Sequence, residues 1–341
     1  MDHLQVAREL IAIESITGNE EGVTRCLEGR LRELGLDVRS ETVAPGRRNL
    51  IAGPERPTVL FCTHTDTVPP FVPFREDAEW LWGRGACDTK GITACFLAAA
   101  ARLLERGIDD FGLLFVVGEE TDNAGARVAN RSVRAEYVVV GEPTENRLAI
   151  GHKGVVGATI RVRGRACHSA YPHAGDSAIH RLLGYLPRLL ATDFGTSEVL
   201  GPGTVNVGKI SGGVAHNVLA PSAEASVTIR VVIDIGEVES RLCACFADPV
   251  SGEPDPQVDV DVWLRIRSPQ LERLEGFEET VVSYGTDIPC LLDVGKPLLY
   301  GPGSILDAHT ANERISKRSM AIAIDDYVEI AERLIARRAG S

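Results

Sequence analysis

The sequence predicts an α/β protein with a mostly parallel sheet, interrupted by a smaller inserted α+β domain. Short, continuously apolar runs, typical of strands that are buried on both faces, alternate with amphipathic helical segments. Histidine or carboxylate residues directly follow several of these runs, and open α/β sheets bind ligands at the carboxyl ends of their strands. Residues 154–266 instead follow the order β-α-β-β-α-β of a split α+β sandwich.

The chain begins with two predicted helices, at residues 4–13 and 20–34. Thr17 and Glu20 have the spacing of a capping box at the start of the second helix, and Gly35 provides its C-terminal stop. The next elements are predicted as strands at 37–42, 49–52, 58–63, 113–117 and 137–140, and as an alanine-rich helix at 92–104.

The sequence changes character near Lys153, where the inserted domain is predicted to begin. The chain returns from it with a strand near 298–300 and a final helix at 318–337. We therefore predict one domain of residues 1–153 plus 267–341 and an inserted domain of residues 154–266. The insert is predicted to contain strands at 155–162, 204–210, 223–232 and 258–266, and helices at 177–190 and 236–246.

The composition is that of an ordinary globular protein, with 44% hydrophobic and 25% charged residues in a chain of 341. The N-terminus lacks the basic region and apolar stretch of a signal peptide, so we expect a cytoplasmic protein with no membrane partner. A net charge of −12 argues against a nucleic-acid partner, because phosphate contacts need a basic face. The eight cysteines include no CxxC pair, which favours reduced thiols.

A set of histidines and carboxylates, without cysteine, indicates a metal site. Such a set is ligand chemistry for hard or borderline divalent metals. A pair of these metals indicates hydrolysis by a metal-activated water, so we predict a two-metal hydrolase. The residues are His64, Asp88, Glu119, Glu120, Glu142 and His309.

Two local patterns divide the roles within this set. His64 and Asp66 face the same way in an extended segment, so Asp66 can accept a hydrogen bond from the imidazole. Glu119 and Glu120 face opposite ways, so one can bind metal while the other serves as a base. Taken singly, each residue also has an ordinary structural explanation; an aspartate such as Asp88 in a glycine-rich turn is more often a helix cap.

Eight segments together resemble one known family. They cover nearly the whole chain, in the order of the acetylornithine deacetylase / succinyl-diaminopimelate desuccinylase / aminoacylase family of two-metal peptidases and amidohydrolases. The resemblance implies a metallopeptidase-type catalytic domain with an inserted dimerisation or lid domain. The segments are THTDTVP (63–69), GRGACDTKG (83–91), GEE (118–120), GEPT (141–144), HKG (152–154), RACHSAYP (165–172), HNVLAP (216–221) and GPGSILDAHTANE (301–313).

The resemblance also implies a role for each candidate residue. His64 and Glu142 would hold one metal, Glu120 and His309 the other, and Asp88 would bridge them. The expected metals are two divalent ions per subunit, zinc in the first place, with cobalt or manganese as alternatives. Two further residues of the same domain complete the expected chemistry: Asp66 would orient His64, and Glu119 would be the general base. The peptide bond after Asp88 is expected to be cis.

Residues of the inserted domain are implied in substrate binding. His168 would help to stabilise the oxyanion, and Asn217 and Arg230 would hold the substrate's α-carboxylate. Lys153 and Gly303 would line the site. A homodimer through the inserted domain is implied by the same resemblance.

The resemblance predicts removal of the acetyl group from an Nα-acetyl amino acid. Nα-Acetylornithine, which would give ornithine and acetate in arginine biosynthesis, is the first choice because of Lys153 and the GPGSI segment. Alternatives are another N-acyl amino acid, succinyl-diaminopimelate, a dipeptide, or carrier-linked lysine or ornithine. Rivals of another class are a non-catalytic metal-binding protein and a thiol hydrolase that uses Cys87 or Cys167. The chain is shorter than many family members after the insert, which leaves its specificity open.

Overall fold

The computed structural model describes residues 1–248 and 251–339. The chain divides into two compact units. The first unit comprises Met1–Ile150, Gln270–Thr280 and Thr286–Ser341, and the second comprises Gly151–Pro269 and Val281–Gly285. Among the described residues, no helix is both long enough and apolar enough to cross a membrane.

Helices and strands are numbered in chain order. The helices are α1 (His3–Ala12), α2 (Glu21–Glu33), α3 (Gly91–Glu105), α4 (Ala124–Ser132), α5 (Ala178–Ala191), α6 (Ile235–Ala244) and α7 (Lys317–Ala339). The strands are β1 (Val38–Ala44), β2 (Arg47–Ala52), β3 (Val59–His64), β4 (Arg75–Glu76), β5 (Trp80–Trp82), β6 (Phe111–Val116), β7 (Tyr137–Val140), β8 (Leu148–His152), β9 (Gly154–Arg163), β10 (Thr196–Ser197), β11 (Gly201–Pro202), β12 (Thr204–Gly212), β13 (Ser222–Val231), β14 (Val258–Ile266), β15 (Glu279–Val282), β16 (Lys296–Leu299) and β17 (Arg314–Ser316).

The main sheet of the first unit has the strand order β1-β2-β6-β3-β7-β16-β8-β15. Its four middle strands, β6, β3, β7 and β16, are parallel to one another. Strands β1, β2 and β8 pair antiparallel with their neighbours. Every residue of β3 is buried, as expected for a strand covered on both faces. The predicted α/β class with a mostly parallel sheet is confirmed.

Aromatic packing holds the middle of this sheet against its helices. The ring of Phe96, on α3, lies 5.1 Å from that of Phe61 on β3 and 4.6 Å from that of Tyr327 on α7, measured between ring centroids. Such pairs stabilise a core by about 0.5–1.5 kcal/mol beyond the burial of their area. All three side chains are fully buried, so the strand that ends at His64 is held firmly in place.

The second unit contains a four-stranded antiparallel sheet in the order β12-β13-β9-β14. One face of the sheet carries alternating buried apolar residues, such as Ile160 and Val227, which pack with Leu182 of α5 and Leu242 of α6. The opposite face is exposed and mostly polar, with Trp263 on β14 57% exposed. In chain order the main elements are β9, α5, β12, β13, α6 and β14, which confirms the predicted β-α-β-β-α-β order.

The predicted capping box at the start of α2 is wrong. The N-cap residue Glu20 makes no side-chain cap hydrogen bond, because its carboxylate pairs with Arg47 at 2.6 Å. The Thr17 hydroxyl donates instead to Asp66 at 2.7 Å. Both side chains therefore serve tertiary contacts that the local spacing does not reveal.

The second unit contains a short segment, Val281–Gly285, beside its long segment Gly151–Pro269. Residues Val281–Gly285 group with the second unit, whereas the sequence pattern places them in the first. A hydrogen bond joins this segment to the rest of the second unit, since the Lys153 N–H donates to the Val282 carbonyl at 3.2 Å.

Candidate metal centre

His64 ends strand β3 and is buried. Its Nδ1 lies 3.0 Å from the backbone carbonyl oxygen of Asp66, and its Nε2 lies 2.9 Å from Oδ1 of Asp88. A carbonyl can only accept, so Nδ1 carries a proton and Nε2 is the nitrogen that can bind a metal. The strand end therefore presents one ligand nitrogen towards Asp88.

Asp88 lies between two imidazoles. Its Oδ1 faces His64, and its Oδ2 lies 3.1 Å from Nε2 of His309. Burial alone would raise the pKa of the Asp88 carboxyl, but hydrogen bonds from His309 and His64 hold that pKa well below its usual range. The Asp88–Thr89 peptide bond is cis, as the family resemblance implies. One carboxylate with a nitrogen at each oxygen has the donor arrangement of a bridging ligand.

Glu120 and His309 form the other side of the cluster. Nε2 of His309 lies 3.1 Å from Oε1 of Glu120. Hydrogen bonds with Asp88 and Glu120 raise the pKa of His309 to about 10. Ligand atoms of His64, Asp88 and Glu120 lie within 4.8 Å of one another, which is close enough for one ion to contact all three.

Two more glutamates from the predicted set reach this cluster. Glu142 is buried just after β7, and its Oε1 lies 4.0 Å from Nε2 of His64. Burial and the nearby negative charge of Asp88 raise the pKa of Glu142 well above its usual range. The pKa of Glu119 is raised in the same direction, with burial as the largest cause. So many buried carboxylates cannot all be ionised unless cations neutralise them, and the donor set therefore fits divalent metals.

The carboxylate of Asp66 organises the turn that carries both glutamates. It accepts hydrogen bonds from the backbone N–H groups of Gly118 at 2.9 Å, Glu119 at 3.1 Å and Glu120 at 3.2 Å. The hydrogen bond between His64 and Asp66 uses the backbone carbonyl of Asp66, not its carboxylate, whose Oδ1 lies 3.6 Å from Nδ1 of His64. Asp66 thus links strand β3 to the turn after β6.

Asp287 is a buried carboxylate in the same unit that sequence reasoning missed. Burial raises its pKa to about 6, and Asn123 donates a hydrogen bond to it at 3.0 Å. Its charge also raises the pKa values of Glu119 and Glu142. Asp287 ends the polar segment SYGTD, five residues after strand β15 ends at Val282, so it does not stand directly after an apolar run as His64 and Glu142 do.

Cys87, beside the bridging aspartate, has a structural environment. It is fully buried, and its thiol donates to the Ser304 carbonyl at 3.3 Å. Burial and the charge of Asp88 raise the pKa of the thiol well above its usual range, which disfavours the thiolate that a nucleophile needs. Gly303 packs on it with φ of 89°, and a Cβ there would lie 2.7 Å from the sulfur.

The other candidate residues lie in the second unit. His168 and Asn217 are exposed in adjacent segments, joined by a hydrogen bond from the Ser169 N–H to the Asn217 carbonyl at 2.9 Å. The Lys153 ammonium donates to the Pro202 carbonyl at 2.7 Å. Arg230, on β13, is half-buried.

Arg230 differs from most arginines of the chain in its surroundings. Burial lowers the pKa of its guanidinium. Burial is the only cause that shifts this pKa, and among residues 1–248 and 251–339 the guanidinium has no hydrogen bond or ion pair. A half-buried guanidinium without a partner can bind an anion such as a carboxylate.

Comparisons with known proteins agree with this fold. Residues 150–242 match the peptidase dimerisation domain, M20_dimer. The chain is 37% identical to a peptidase M20 domain-containing protein of Schizosaccharomyces pombe, over 95% of this chain and 82% of that protein. It is 33% identical to a probable carboxypeptidase of Aspergillus clavatus, over 98% of this chain and 83% of the relative. The solved structure of a Staphylococcus aureus tripeptidase aligns with a TM-score of 0.84 and 21% identity, over 97% of both chains.

The fold, the insert and the histidine–carboxylate cluster define a peptidase-type hydrolase with an inserted dimerisation domain. The chain belongs to the M20 peptidase family.

Proposed function

We propose that this protein is a two-metal hydrolase that cleaves an amide bond whose nitrogen belongs to an amino acid with a free α-carboxylate. The observation that carries the proposal is the position of the Asp88 carboxylate between His64 and His309. His64 and Glu142 would hold one metal and Glu120 and His309 the other, with Asp88 bridging. Zinc is the first choice for this donor set, with cobalt or manganese as alternatives.

Bound metals would activate a water and polarise the scissile carbonyl. Glu119 is proposed as the general base because it shares the turn of Glu120 and is held there by the hydrogen bond from its N–H to Asp66 at 3.1 Å. Glu119 would take a proton from the attacking water and deliver it to the leaving nitrogen. His168 is proposed to donate to the developing oxyanion.

Recognition of the α-carboxylate is assigned to Arg230 and Asn217, with Lys153 and Gly303 lining the site. The unpartnered, half-buried guanidinium of Arg230 supports this assignment, since its planar fork matches both oxygens of a carboxylate. An amino acid is released both when a carboxypeptidase removes a C-terminal residue and when a deacetylase acts on an Nα-acetyl amino acid. One carboxylate subsite serves either reaction.

Two substrate classes follow from this shared chemistry. The name of the Aspergillus relative, a probable carboxypeptidase, favours a short peptide. Lys153 and the segment Gly301–Ile305 favour Nα-acetylornithine, the first choice from the sequence.

We propose the enzyme as a cytoplasmic homodimer formed through the second unit. The match of that unit to the dimerisation domain, and the exposed edge strand β12 with Ile210 55% exposed, support the dimer.

The function is tested by hydrolysis of a substrate panel with the purified protein. The panel contains Nα-acetylornithine, other acetyl- and succinyl-amino acids, and di- and tripeptides, each with a C-terminally amidated counterpart. We expect turnover that EDTA abolishes and zinc or cobalt restores, and a loss of about 10- to 100-fold on amidation, the value of one charge-assisted contact. Turnover that survives EDTA would contradict the metal mechanism, and equal turnover of amidated substrates would contradict the carboxylate subsite.

A further inference from the structure

A buried ion pair, Arg84 with Glu313, lies next to the candidate metal ligands in the first unit. Nη1 of Arg84 is 2.6 Å from Oε2 of Glu313, and the two residues are only 2% and 1% exposed. Removing both charges from water costs free energy, and one ion pair alone seldom repays that cost. The contacts of the two side chains suggest what the pair does.

Glu313 holds the backbone of the bridging aspartate. Its Oε1 accepts hydrogen bonds from the backbone N–H groups of both Cys87 and Asp88, each at 3.2 Å. Buried N–H groups need such an acceptor, and here a single carboxylate oxygen serves two consecutive donors. The position of the Asp88 backbone therefore depends on a residue far away in the chain.

Arg84 extends the same connection to two more segments. Its Nε donates to the Pro70 carbonyl at 3.1 Å, in the loop that follows β3. Its Nη1 donates to the carbonyl of Thr310, the neighbour of His309, at 3.2 Å. The Arg84–Glu313 pair thus joins the segment after His64, the turn of Asp88 and the segment of His309.

We propose that Arg84 and Glu313 are positioning residues that fix the placement of Asp88 relative to His309 before metal binds. The inference rests on the ligand set proposed above, although neither residue is itself one of those ligands. Partners behind the ligands of a metal site typically change its affinity by about 10- to 100-fold when removed. The pair is neutral overall, so it holds the segments in place without adding net charge to a carboxylate-rich cluster.

Two variants separate positioning from charge. Glu313→Gln removes the carboxylate charge and leaves Arg84 without its ionic partner. Arg84→Lys keeps the positive charge, but one ammonium cannot reproduce the planar fork that reaches Pro70, Thr310 and Glu313 together. We expect both variants to weaken metal binding by about 10- to 100-fold and to change the visible absorption spectrum of bound cobalt.

A matched control comes from the second unit. Asp255 pairs with Arg181 at 2.6 Å and is only 6% exposed, but it contacts none of the proposed ligands. Asp255→Asn should lower the unfolding temperature without changing cobalt affinity or the cobalt spectrum. It separates a general loss of stability from a specific effect on the metal centre.

The experiment is a cobalt titration of the full-length metal-free protein, followed by absorption, with circular dichroism as a check of folding. A wild type that binds no cobalt would contradict the proposed function. Two results would contradict positioning by the pair, provided that the wild type binds two ions. In the first, both variants bind cobalt as tightly as the wild type; in the second, Arg84→Lys alone does so. If Glu313→Gln does not fold, Glu313→Asp, which keeps the charge but shortens the side chain, must show the weakened affinity instead.

Discussion

Charged side chains occupy two contrasting environments in this molecule. In the first unit, Asp88, Glu142 and His64 are buried, and their oxygens and nitrogens crowd together. On the open sheet face of the second unit, Arg161 contacts Asp261 at 3.0 Å and Glu224 at 3.4 Å, and all three side chains are about 40–50% exposed.

The two environments place very different demands on the chain. An exposed ion pair is solvated before and after folding and contributes little to stability. A buried surplus of carboxylates opposes folding unless protons or metal ions neutralise it. A buried cluster of carboxylates therefore indicates function, whereas an exposed cluster of ion pairs indicates an ordinary solvated surface.

The sharpest way to test this contrast is the removal of Glu119. We expect Glu119→Ala to reduce turnover by about 10²- to 10⁴-fold, because a positioned base is lost, while the protein still binds two metals. Steady-state hydrolysis and metal analysis of the same sample measure both effects. Turnover near that of the wild type would remove Glu119 from the role of base.

Without metal, the stability of the protein should depend on pH, because the buried carboxylates then have no cation to neutralise them. The pKa of Asp287 is raised from 3.8 to about 6, so its protonated form contributes stability that is lost as pH rises through that range. The pKa of His309 is raised from 6.5 to about 10, so its stabilising charge is complete below 6.5 and is lost as pH rises through about 10.

Both shifts have the same sign, so metal-free protein should be less stable at pH 8 than at pH 5. The opposite, lowered pKa values of Asp88 and Asp66 act below this window. The pKa of His152, which burial lowers to about 4, opposes the trend within the window, but the raised pKa values of His64, Glu119 and Glu142 outnumber it. Thermal unfolding in the presence of EDTA measures the difference, and added zinc should raise stability more at pH 8 than at pH 5, because fewer protons compete with the metal for its ligands. A metal-free protein that gains stability from pH 5 to pH 8 would contradict the prediction.

The smallest effect is expected on the exposed face of the second unit. Asp261→Asn removes one of the carboxylates around Arg161 and should change the free energy of unfolding by less than about 1 kcal/mol. Urea unfolding at low and high salt measures it, with unchanged turnover as the companion result. A loss of unfolding free energy as large as that expected for a buried ion pair would show that exposed ion pairs stabilise this protein as much as buried ones.

Much of the metal centre could be predicted because its residues follow recognisable strands. His64, Glu119, Glu120 and Glu142 stand directly after or at the end of buried apolar runs, and parallel strands bring such ends to one edge of a sheet. Helix α4 was not predicted, since the face that it buries carries only the small residues Gly125, Ala126 and Ala129, which do not read as an apolar stripe.

The remaining misses concern side chains whose partners are distant in the chain. Asp287 becomes part of the cluster only through folding, and the Arg84–Glu313 contact joins residues 229 positions apart. Thr17 and Glu20 had the spacing of a capping box, yet each bonds to a residue outside the helix. Spacing reveals local hydrogen bonds, but it does not reveal a stronger partner that only the tertiary fold supplies.

Strand β8, which leads into the long segment of the second unit, is the hydrogen-bonded neighbour of β15, which leads into its short segment at Val281–Gly285. Both departures of the chain from the first unit therefore start from one pair of adjacent strands at the same edge of the main sheet. The proposed metal ligands from His64 to His309 all belong to the first unit, so changes of sequence within the second unit leave the strands and turns that carry these ligands unaltered.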